Sequence, residues 1–293
     1  MQETPTEAEQ APPFERRGPD VPASPVILSV PHAGRDYSHA ILAATRLTRA
    51  QLECLEDRLM DRLIEPAAAT GAIAIVARRP RAEIDLNRDE REVDPAIIAP
   101  SPPARSVLPS ARTRGGLGLI PARITGAGPI WHRPIHSDEL SRRIVEVHRP
   151  YHRALTDAIE QARSRFGVAI LIDCHSMPPR NEGAATQADV VFGDLHGMSI
   201  APELRDAAIK TARDEGFRTT CNDPYAGGYI TARHGRPAAG VHAIQVEIDR
   251  SLYLAEDLRS AGRGFDRTAA LLARITAVLA AKALEPPQAI AAE

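Results

Sequence analysis

The chain has 293 residues, 43% of them apolar, and a formal net charge of −2 at pH 7. A charge this close to zero argues against a nucleic-acid surface built on bulk basicity, and no stretch approaches the roughly 18 uninterrupted apolar residues of a membrane span. The three cysteines, Cys54, Cys174 and Cys221, are odd in number and widely spaced. This excludes a disulfide framework or a CxxC site, so we expect a reduced, cytoplasmic protein.

The two ends of the chain differ in composition from its middle. Residues 1–24 are rich in Pro, Glu and Ala and contain no apolar run, which predicts a disordered lead-in without a secretory signal. Residues 25–285 are expected to form a single domain, followed by a flexible tail over 286–293. The organisation is therefore one folded unit with no internal repeat.

Alternating apolar and amphipathic segments predict an α/β/α domain. The predicted helices cover 48–66, with Thr48 as N-cap, 138–166, which Pro150 must kink or divide, 201–215 and 256–284. The segment 89–136 is rich in Pro, Gly and Arg, and a loop this long is usually functional or disordered. The predicted strands are 26–30, 72–77, 82–86, 168–174, 189–192, 217–221 and 241–248, with a further extended piece after the glycine turn at 227–228.

Two predicted strands end in a histidine. His32 follows the apolar run 26–30, and His175 follows the run 169–172. Continuous apolar runs of this kind are typical of strands buried on both faces. Because ligands of open α/β sheets bind at the carboxyl ends of the strands, we expect the two imidazoles to meet there and to provide two ligands of a metal site.

A catalytic zinc site needs about three protein ligands, and the third has several candidates. Glu56 and Asp57 lie in the predicted helix after the first strand. Asp173 lies two positions before His175, on the same face of its strand, where it could instead be a hydrogen-bond partner of that ligand. The residue pattern leaves these alternatives open.

Glu247 lies within the apolar strand 241–248. A carboxylate among Ile and Val residues costs several kcal/mol unless it is paired or its pKa shifts. A Glu with a raised pKa is a common general base for water activation. Glu247 is therefore the predicted catalytic base.

Two further segments carry groups suited to an anionic substrate. Arg88 offers a planar fork for a carboxylate, and Asn87 adds a polar donor beside it. The glycines at 227–228 and 235 allow close backbone approach to a ligand. His148 and His152, by contrast, lack the Glu of an HExxH motif, so we expect a solvent-facing or structural role for both.

Six motifs, taken in order, resemble the N-formylglutamate amidohydrolase family. They are Ser29–Gly34, Glu83–Arg88, Asp173–Ser176, Gly227–Thr231, His234–Pro237 and Val246–Tyr253. The resemblance implies a zinc-carboxypeptidase-like three-layer α/β/α fold with a central mixed, mainly parallel sheet. It also implies one Zn²⁺ per chain and hydrolysis of N-formyl-L-glutamate to formate and L-glutamate, a late step of histidine breakdown.

The resemblance also implies roles for individual residues. His32 and His175 match the histidine ligands, and Asp57 matches an acidic position of the family, which favours it over Glu56 and Asp173. Glu247 matches the base, which would take a proton from water and pass it to the leaving amine.

The predicted substrate-binding residues are Asn87, Arg88, Gly228, Tyr229, His234 and Arg236, with an Arg or His of 227–237 stabilising the oxyanion. The substrate is expected to be a small N-acyl amino acid, with no nucleic-acid or membrane partner. Two alternatives stay open: the same scaffold acting on a different N-acyl amino acid, and a non-catalytic binding protein.

Overall fold

The structure, a computed structural model, describes residues 12–179 and 188–285. Seven strands of this part form one sheet, and in chain order they are β1 (Phe14–Arg17), β2 (Val26–Val30), β3 (Ile73–Ala77), β4 (Ala169–Met177), β5 (Val190–Gly193), β6 (Thr219–Cys221) and β7 (Val241–Asp249). Their order across the sheet is β1-β3-β2-β4-β7-β5-β6. The central strands β3, β2, β4 and β7 are mutually parallel, whereas β1 runs antiparallel to β3 and β5 antiparallel to β7. The predicted mixed, mainly parallel sheet is confirmed.

Helices cover both faces of this sheet. Because successive side chains of a strand point to opposite faces, Leu171 in β4 packs in one apolar core and Ile172 packs in the other. The helix Arg149–Phe166 lies on the first face. The helices Pro202–Asp214 and Phe265–Ala283 lie on the second face, where they also pack on each other. The predicted three-layer α/β/α architecture is therefore confirmed.

The helical segments are mostly short outside these three long helices. Among the described residues, no helix has both the length and the hydropathy needed to cross a bilayer. The remaining α-helices are His39–Ala44, Arg49–Leu52, Met60–Leu63, Glu65–Ala68, Ala111–Arg114, Ser137–Arg143 and Tyr229–His234. Single 3₁₀ turns occur at Glu53–Leu55, Pro95–Ile97, Ala104–Ser106, Pro237–Ala239 and Arg250–Leu252.

The single helix predicted over 48–66 is wrong. Thr48 does cap a helix, with its side chain and that of Gln51 forming a capping box, but this helix ends at Leu52. The chain continues through the 3₁₀ turn, leaves helical geometry at Glu56 and has a positive φ of 61° at Leu59. Positive φ is unfavourable for a branched side chain, and burial of the Leu59 side chain in the core compensates for it.

Two predicted extended segments are also not strands. Residues 82–88 form consecutive turns, in which the Glu83 N–H donates to the Pro80 carbonyl at 2.8 Å. The segment after the glycines 227–228 is the helix Tyr229–His234. The last helix begins at Phe265 rather than 256, and β4 continues past the predicted end at 174 to Met177.

The N-terminal and central irregular regions are more ordered than predicted. Phe14–Arg17 pairs with β3, so the disordered lead-in predicted over 1–24 is wrong for these residues. Residues 1–11 and the predicted tail 286–293 lie outside the described ranges. The segment 89–136 buries Leu119 and Trp131 in the core. Before Pro150, the π-helical turn Ile144–His148 divides the predicted long helix, since proline cannot donate the regular helical hydrogen bond.

Candidate metal centre and substrate cavity

Three side chains from separate parts of the chain meet at the carboxyl edge of the sheet. His32 follows β2, and His175 lies near the end of the neighbouring β4. Asp57 lies in the break between the 3₁₀ turn and the helix Met60–Leu63, and its N–H donates to the His32 carbonyl at 2.9 Å. The break in the helix thus places the Asp57 carboxylate beside the imidazoles of His32 and His175.

The three groups converge on one small volume. Nδ1 of His175 lies 3.1 Å from Nδ1 of His32 and 3.1 Å from Oδ2 of Asp57, and His32 Nδ1 lies 3.3 Å from the same oxygen. All three residues are at most 3% exposed. In a tetrahedral site with metal–ligand bonds of about 2.0–2.1 Å, ligand atoms lie about 3.3 Å apart. The observed separations match such a site.

The other nitrogen of each histidine faces a second carboxylate. His32 Nε2 lies 2.8 Å from Asp85 Oδ1, and His175 Nε2 lies 2.8 Å from Asp173 Oδ2. When both Nε2–H groups donate to these carboxylates and no proton is bound at Nδ1, each Nδ1 keeps a lone pair, which is the tautomer that metal-binding histidines adopt. The group His32, Asp57 and His175 could therefore hold a metal ion.

Asp57 is held in its ionised form. Burial alone would raise its pKa, but hydrogen bonds with His175 and His32 outweigh this effect and hold the pKa well below its usual range. Its second oxygen, Oδ1, accepts from the Ser176 hydroxyl at 2.8 Å and lies 3.4 Å from Arg250 Nη2. These contacts orient the carboxylate so that Oδ2 faces the two imidazoles.

The two other candidates for the third ligand point elsewhere. Glu56 accepts hydrogen bonds from the Tyr37 hydroxyl and from Arg58, both at 2.8 Å. Asp173 lies on the Nε2 side of His175 and also accepts from the Ser29 hydroxyl at 2.9 Å. The structure thus groups Asp57, rather than Glu56 or Asp173, with the Nδ1 atoms of the two histidines.

Glu247 lies beside the candidate metal centre. It is the register partner of His175 in the adjacent parallel strand β7, and it is 8% exposed. Burial raises the pKa of Glu247 to about 7, against the opposing charge of His175. Its Oε1 accepts a hydrogen bond from Gln245 at 2.8 Å. The position and the raised pKa are those of a group that exchanges a proton near neutral pH.

The candidate metal ligands and Glu247 line a cavity of about 510 Å³. Asn87 and Arg88, the two residues of the predicted substrate-binding pair, also line it. Asn87 Oδ1 accepts from the Ile230 N–H at 2.9 Å, and Arg88 Nε donates to the Leu117 carbonyl at 2.8 Å. Burial lowers the pKa of Arg88 to about 10, so its guanidinium remains charged at neutral pH.

Several residues of the cavity escaped the sequence analysis. Five arginines line the cavity, whereas only two carboxylates do, so its lining carries an excess of positive charge. The arginines are Arg81, Arg88, Arg112, Arg123 and Arg250. Arg81 Nε donates to Asp85 at 2.9 Å. The same Asp85 carboxylate contacts His32 Nε2. The sequence shows Asp85 two positions before Asn87. Because its segment was predicted to be a strand, its contact with His32 was not predicted.

Four of the predicted substrate-binding residues do not line this cavity. Gly228 packs against the Asn87 side chain, where a Cβ atom would come within 2.3 Å of the amide nitrogen. Tyr229 and His234 contact the buried His152 instead, with His152 Nδ1 and His234 Nε2 3.1 Å apart. Arg236 is exposed. The segment 227–237 contacts Asn87 through Gly228 and Ile230. None of its side chains lines the cavity, where an oxyanion would form.

Comparisons with known proteins agree with this architecture. Residues 24–254 match the family described as N-formylglutamate amidohydrolase. The N-formylglutamate deformylases of Pseudomonas putida and Pseudomonas aeruginosa are 28% and 29% identical to the chain, and each alignment covers 79% of this chain and 82% or 83% of the relative.

Solved structures extend the likeness to the fold. The N-formylglutamate amidohydrolase from Ralstonia eutropha JMP134 superimposes with a TM-score of 0.84 at 33% identity, covering 93% of this chain and 98% of the other. A protein from Agrobacterium tumefaciens shares the fold with a TM-score of 0.64 at 18% identity, covering 95% of this chain and 97% of that one.

Proposed function

The chain belongs to the N-formylglutamate amidohydrolase family, a family of hydrolytic enzymes, and from this membership we propose that it hydrolyses N-formyl-L-glutamate to formate and L-glutamate with one zinc ion per chain. The observation that carries the proposal is the cavity itself. It combines a buried His-Asp-His group, a carboxylate with a pKa near 7 and a lining of five arginines.

His32, Asp57 and His175 are the residues that would hold the zinc ion. Two imidazoles and one carboxylate are a usual ligand set of catalytic zinc sites. Bound there, zinc supplies Lewis acidity, which polarises a carbonyl and activates water for attack at neutral pH. Asp85 and Asp173 keep the two imidazoles in the required tautomer.

Glu247 is the proposed proton carrier. Its Oε1 is occupied by Gln245, which leaves Oε2 to accept the proton of the attacking water. With a pKa of about 7, the carboxyl group can then release this proton to the departing amine nitrogen. One group thus serves as base and then as acid.

Arg81 is our candidate for stabilising the oxyanion, in place of the predicted Arg or His of 227–237. Its Nε is anchored on Asp85 at 2.9 Å, and its charge acts on both Asp57 and Glu247. A fixed positive charge beside the reacting carbonyl is favourable because charge develops there in the transition state.

The substrate proposal follows from charge. N-formyl-L-glutamate carries two carboxylates, and guanidinium groups bind carboxylates in forked geometry. We assign one carboxylate to Arg88, with Asn87 beside it, and the other to the remaining lining arginines. The metabolic setting, a late step of histidine breakdown in the cytoplasm, is part of the same proposal.

A hydrolysis assay tests this function. Zinc-loaded protein is given N-formyl-L-glutamate, N-acetyl-L-glutamate and N-formyl-L-leucine, and the released acid is measured. We expect formate from N-formyl-L-glutamate at the highest kcat/KM. A preference for the acetyl compound or for the leucine compound would favour the alternative of a different N-acyl amino acid, and no turnover of any of them would favour a binding protein.

A further inference from the structure

A second cavity, of about 590 Å³, lies outside the candidate active site. It is built by the helix His39–Ala44, the segment 131–136 and the helix Ser137–Arg143, together with Arg79 and Glu83. None of its lining residues lines the first cavity. The proposed hydrolysis makes no use of it.

Glu83 lines this cavity, and one oxygen of its carboxylate lacks a hydrogen-bond donor. The residue is 3% exposed, and within residues 12–179 and 188–285 no group donates a hydrogen bond to its buried Oε2. A buried carboxylate without a donor is costly. Burial accordingly raises the pKa of Glu83.

Arg79 lines the same cavity with the opposite charge. It is 8% exposed, yet in the described part of the chain its guanidinium makes no hydrogen bond or ion pair, and only its backbone N–H bonds, to Pro13. Arg79 and Glu83 act on each other electrostatically but are not within ion-pair distance. Two buried, opposite charges thus face one cavity without neutralising each other.

Apart from the exposed Arg133, the other charged side chains of the lining are paired within the described residues. Glu139 accepts hydrogen bonds from Arg142 and from Arg143 at 2.7–2.9 Å. The Arg143 guanidinium also covers the Trp131 ring at 5.1 Å and donates to the Glu83 carbonyl at 2.9 Å. Arg79 and the Glu83 carboxylate are therefore the buried charged groups of the lining that are left for a ligand.

We propose that this cavity is a second binding site for a free α-amino acid, with the ligand ammonium on Glu83 and its carboxylate on Arg79. An α-amino acid carries an ammonium group, which can donate to Glu83, and a carboxylate, which can accept from Arg79. The two groups of the ligand lie a few ångströms apart. Ile41, Trp131 and Ile135 line the cavity with apolar surface. This surface favours an apolar side chain such as that of leucine or phenylalanine.

Isothermal titration calorimetry of the full chain with L-leucine, L-phenylalanine and L-glutamate tests the site. We expect saturable binding of L-leucine or L-phenylalanine that weakens at least about tenfold in Glu83→Gln and in Arg79→Gln, because each variant removes one charged contact. The matched control is Arg88→Gln in the first cavity, which should bind the apolar amino acids as the wild type does.

A variant that blocks the cavity sterically keeps the proposal testable even when the Glu83 and Arg79 variants fail to fold. Ala44 is an exposed lining residue, so Ala44→Trp should fill the cavity without disturbing the core, and it should abolish binding. The absence of saturable binding in the wild type would overturn the proposal. So would binding that is unchanged in Ala44→Trp or that is lost only in Arg88→Gln.

Discussion

His175 and Glu247 occupy register-matched positions of two adjacent parallel strands. Side chains at matched positions of neighbouring strands point to the same face, so one residue of the candidate metal centre and the candidate base share one face of the sheet. Asp173 and Gln245, two residues earlier, form the next matched pair, and they hydrogen-bond to His175 and Glu247 respectively. The strand pairing therefore positions the reacting groups and their supports together.

Replacing the candidate base tests this arrangement. Glu247→Gln keeps the shape of the side chain but cannot take a proton, so we expect kcat to fall by about 10²–10⁴-fold while bound zinc per chain stays the same. The readouts are formate release and metal analysis. Glu256→Gln, at an exposed position, should behave as the wild type, and retention of wild-type turnover in Glu247→Gln would assign the proton transfer to another group.

Asp85 is expected to control metal affinity through His32. Asp85→Asn weakens the contact that holds the His32 tautomer, so zinc affinity should fall by about 10–100-fold. Competition with a chromophoric chelator measures this change. Asp36→Asn alters a carboxylate that pairs with Arg78 away from the cavity and should leave affinity unchanged; an equal affinity in Asp85→Asn would show that the second carboxylate is dispensable.

Arg112 is expected to contribute to substrate binding rather than to chemistry. It lines the cavity, and its side chain makes a long hydrogen bond of 3.5 Å to the Gly227 carbonyl. Arg112→Gln should raise KM for N-formyl-L-glutamate by about tenfold with little change in kcat, which is the pattern of lost uniform binding. Steady-state kinetics decide the matter, with exposed Arg105→Gln as the control. A fall in kcat at constant KM would contradict this assignment.

The buried histidines behind Asn87 should make stability depend on pH. Burial lowers the pKa of His234 to about 3 and that of His152 well below its usual range. Between pH 6.5 and 3 the unfolded chain therefore binds more protons at His234 than the folded chain, and the free energy of unfolding falls as pH falls. One such histidine accounts for about 2 kcal/mol between pH 7 and pH 5.

Urea unfolding at pH 7 and pH 5 measures this dependence. His234→Gln should lose part of the pH-dependent difference, because the variant no longer has the buried imidazole. His196→Gln, at an exposed position, should keep the full difference. An identical pH dependence in the wild type and His234→Gln would mean that other groups cause the acid sensitivity.

Buried strands were the most predictable part of the fold. β2 and β4 are buried along their whole length, and β7 is buried at every position except His242. The apolar runs within these strands were recognisable in the sequence because both faces of the sheet are covered. Because parallel strands end at one edge of the sheet, His32, His175 and Glu247 could be placed near one another from sequence. The family resemblance selected Asp57, and the spacing of residues alone left Glu56 and Asp173 open.

Local patterns failed where tertiary contacts override propensity. Leucines at helical spacing over 52–64 predicted one helix, but the hydrogen bond from Asp57 to His32 and the positive φ at Leu59 interrupt it. The segment 82–86 was predicted to be a strand, but residues 82–88 form turns. Ile84 and Leu86 are buried by long-range packing. Of the neighbouring polar residues, Glu83 lines the second cavity, Asp85 contacts His32 and Asn87 lines the first cavity.

The sequence by itself determined the α/β/α layering, the two histidines at one sheet edge and the acid in β7, because apolar periodicity encodes burial and parallel strands share an edge. Only the tertiary structure decided which oxygen faces the two Nδ1 atoms, which arginines line the cavity, and that Glu83 and Arg79 face a second one. Those relationships join residues through space, over distances that local propensity and spacing do not encode.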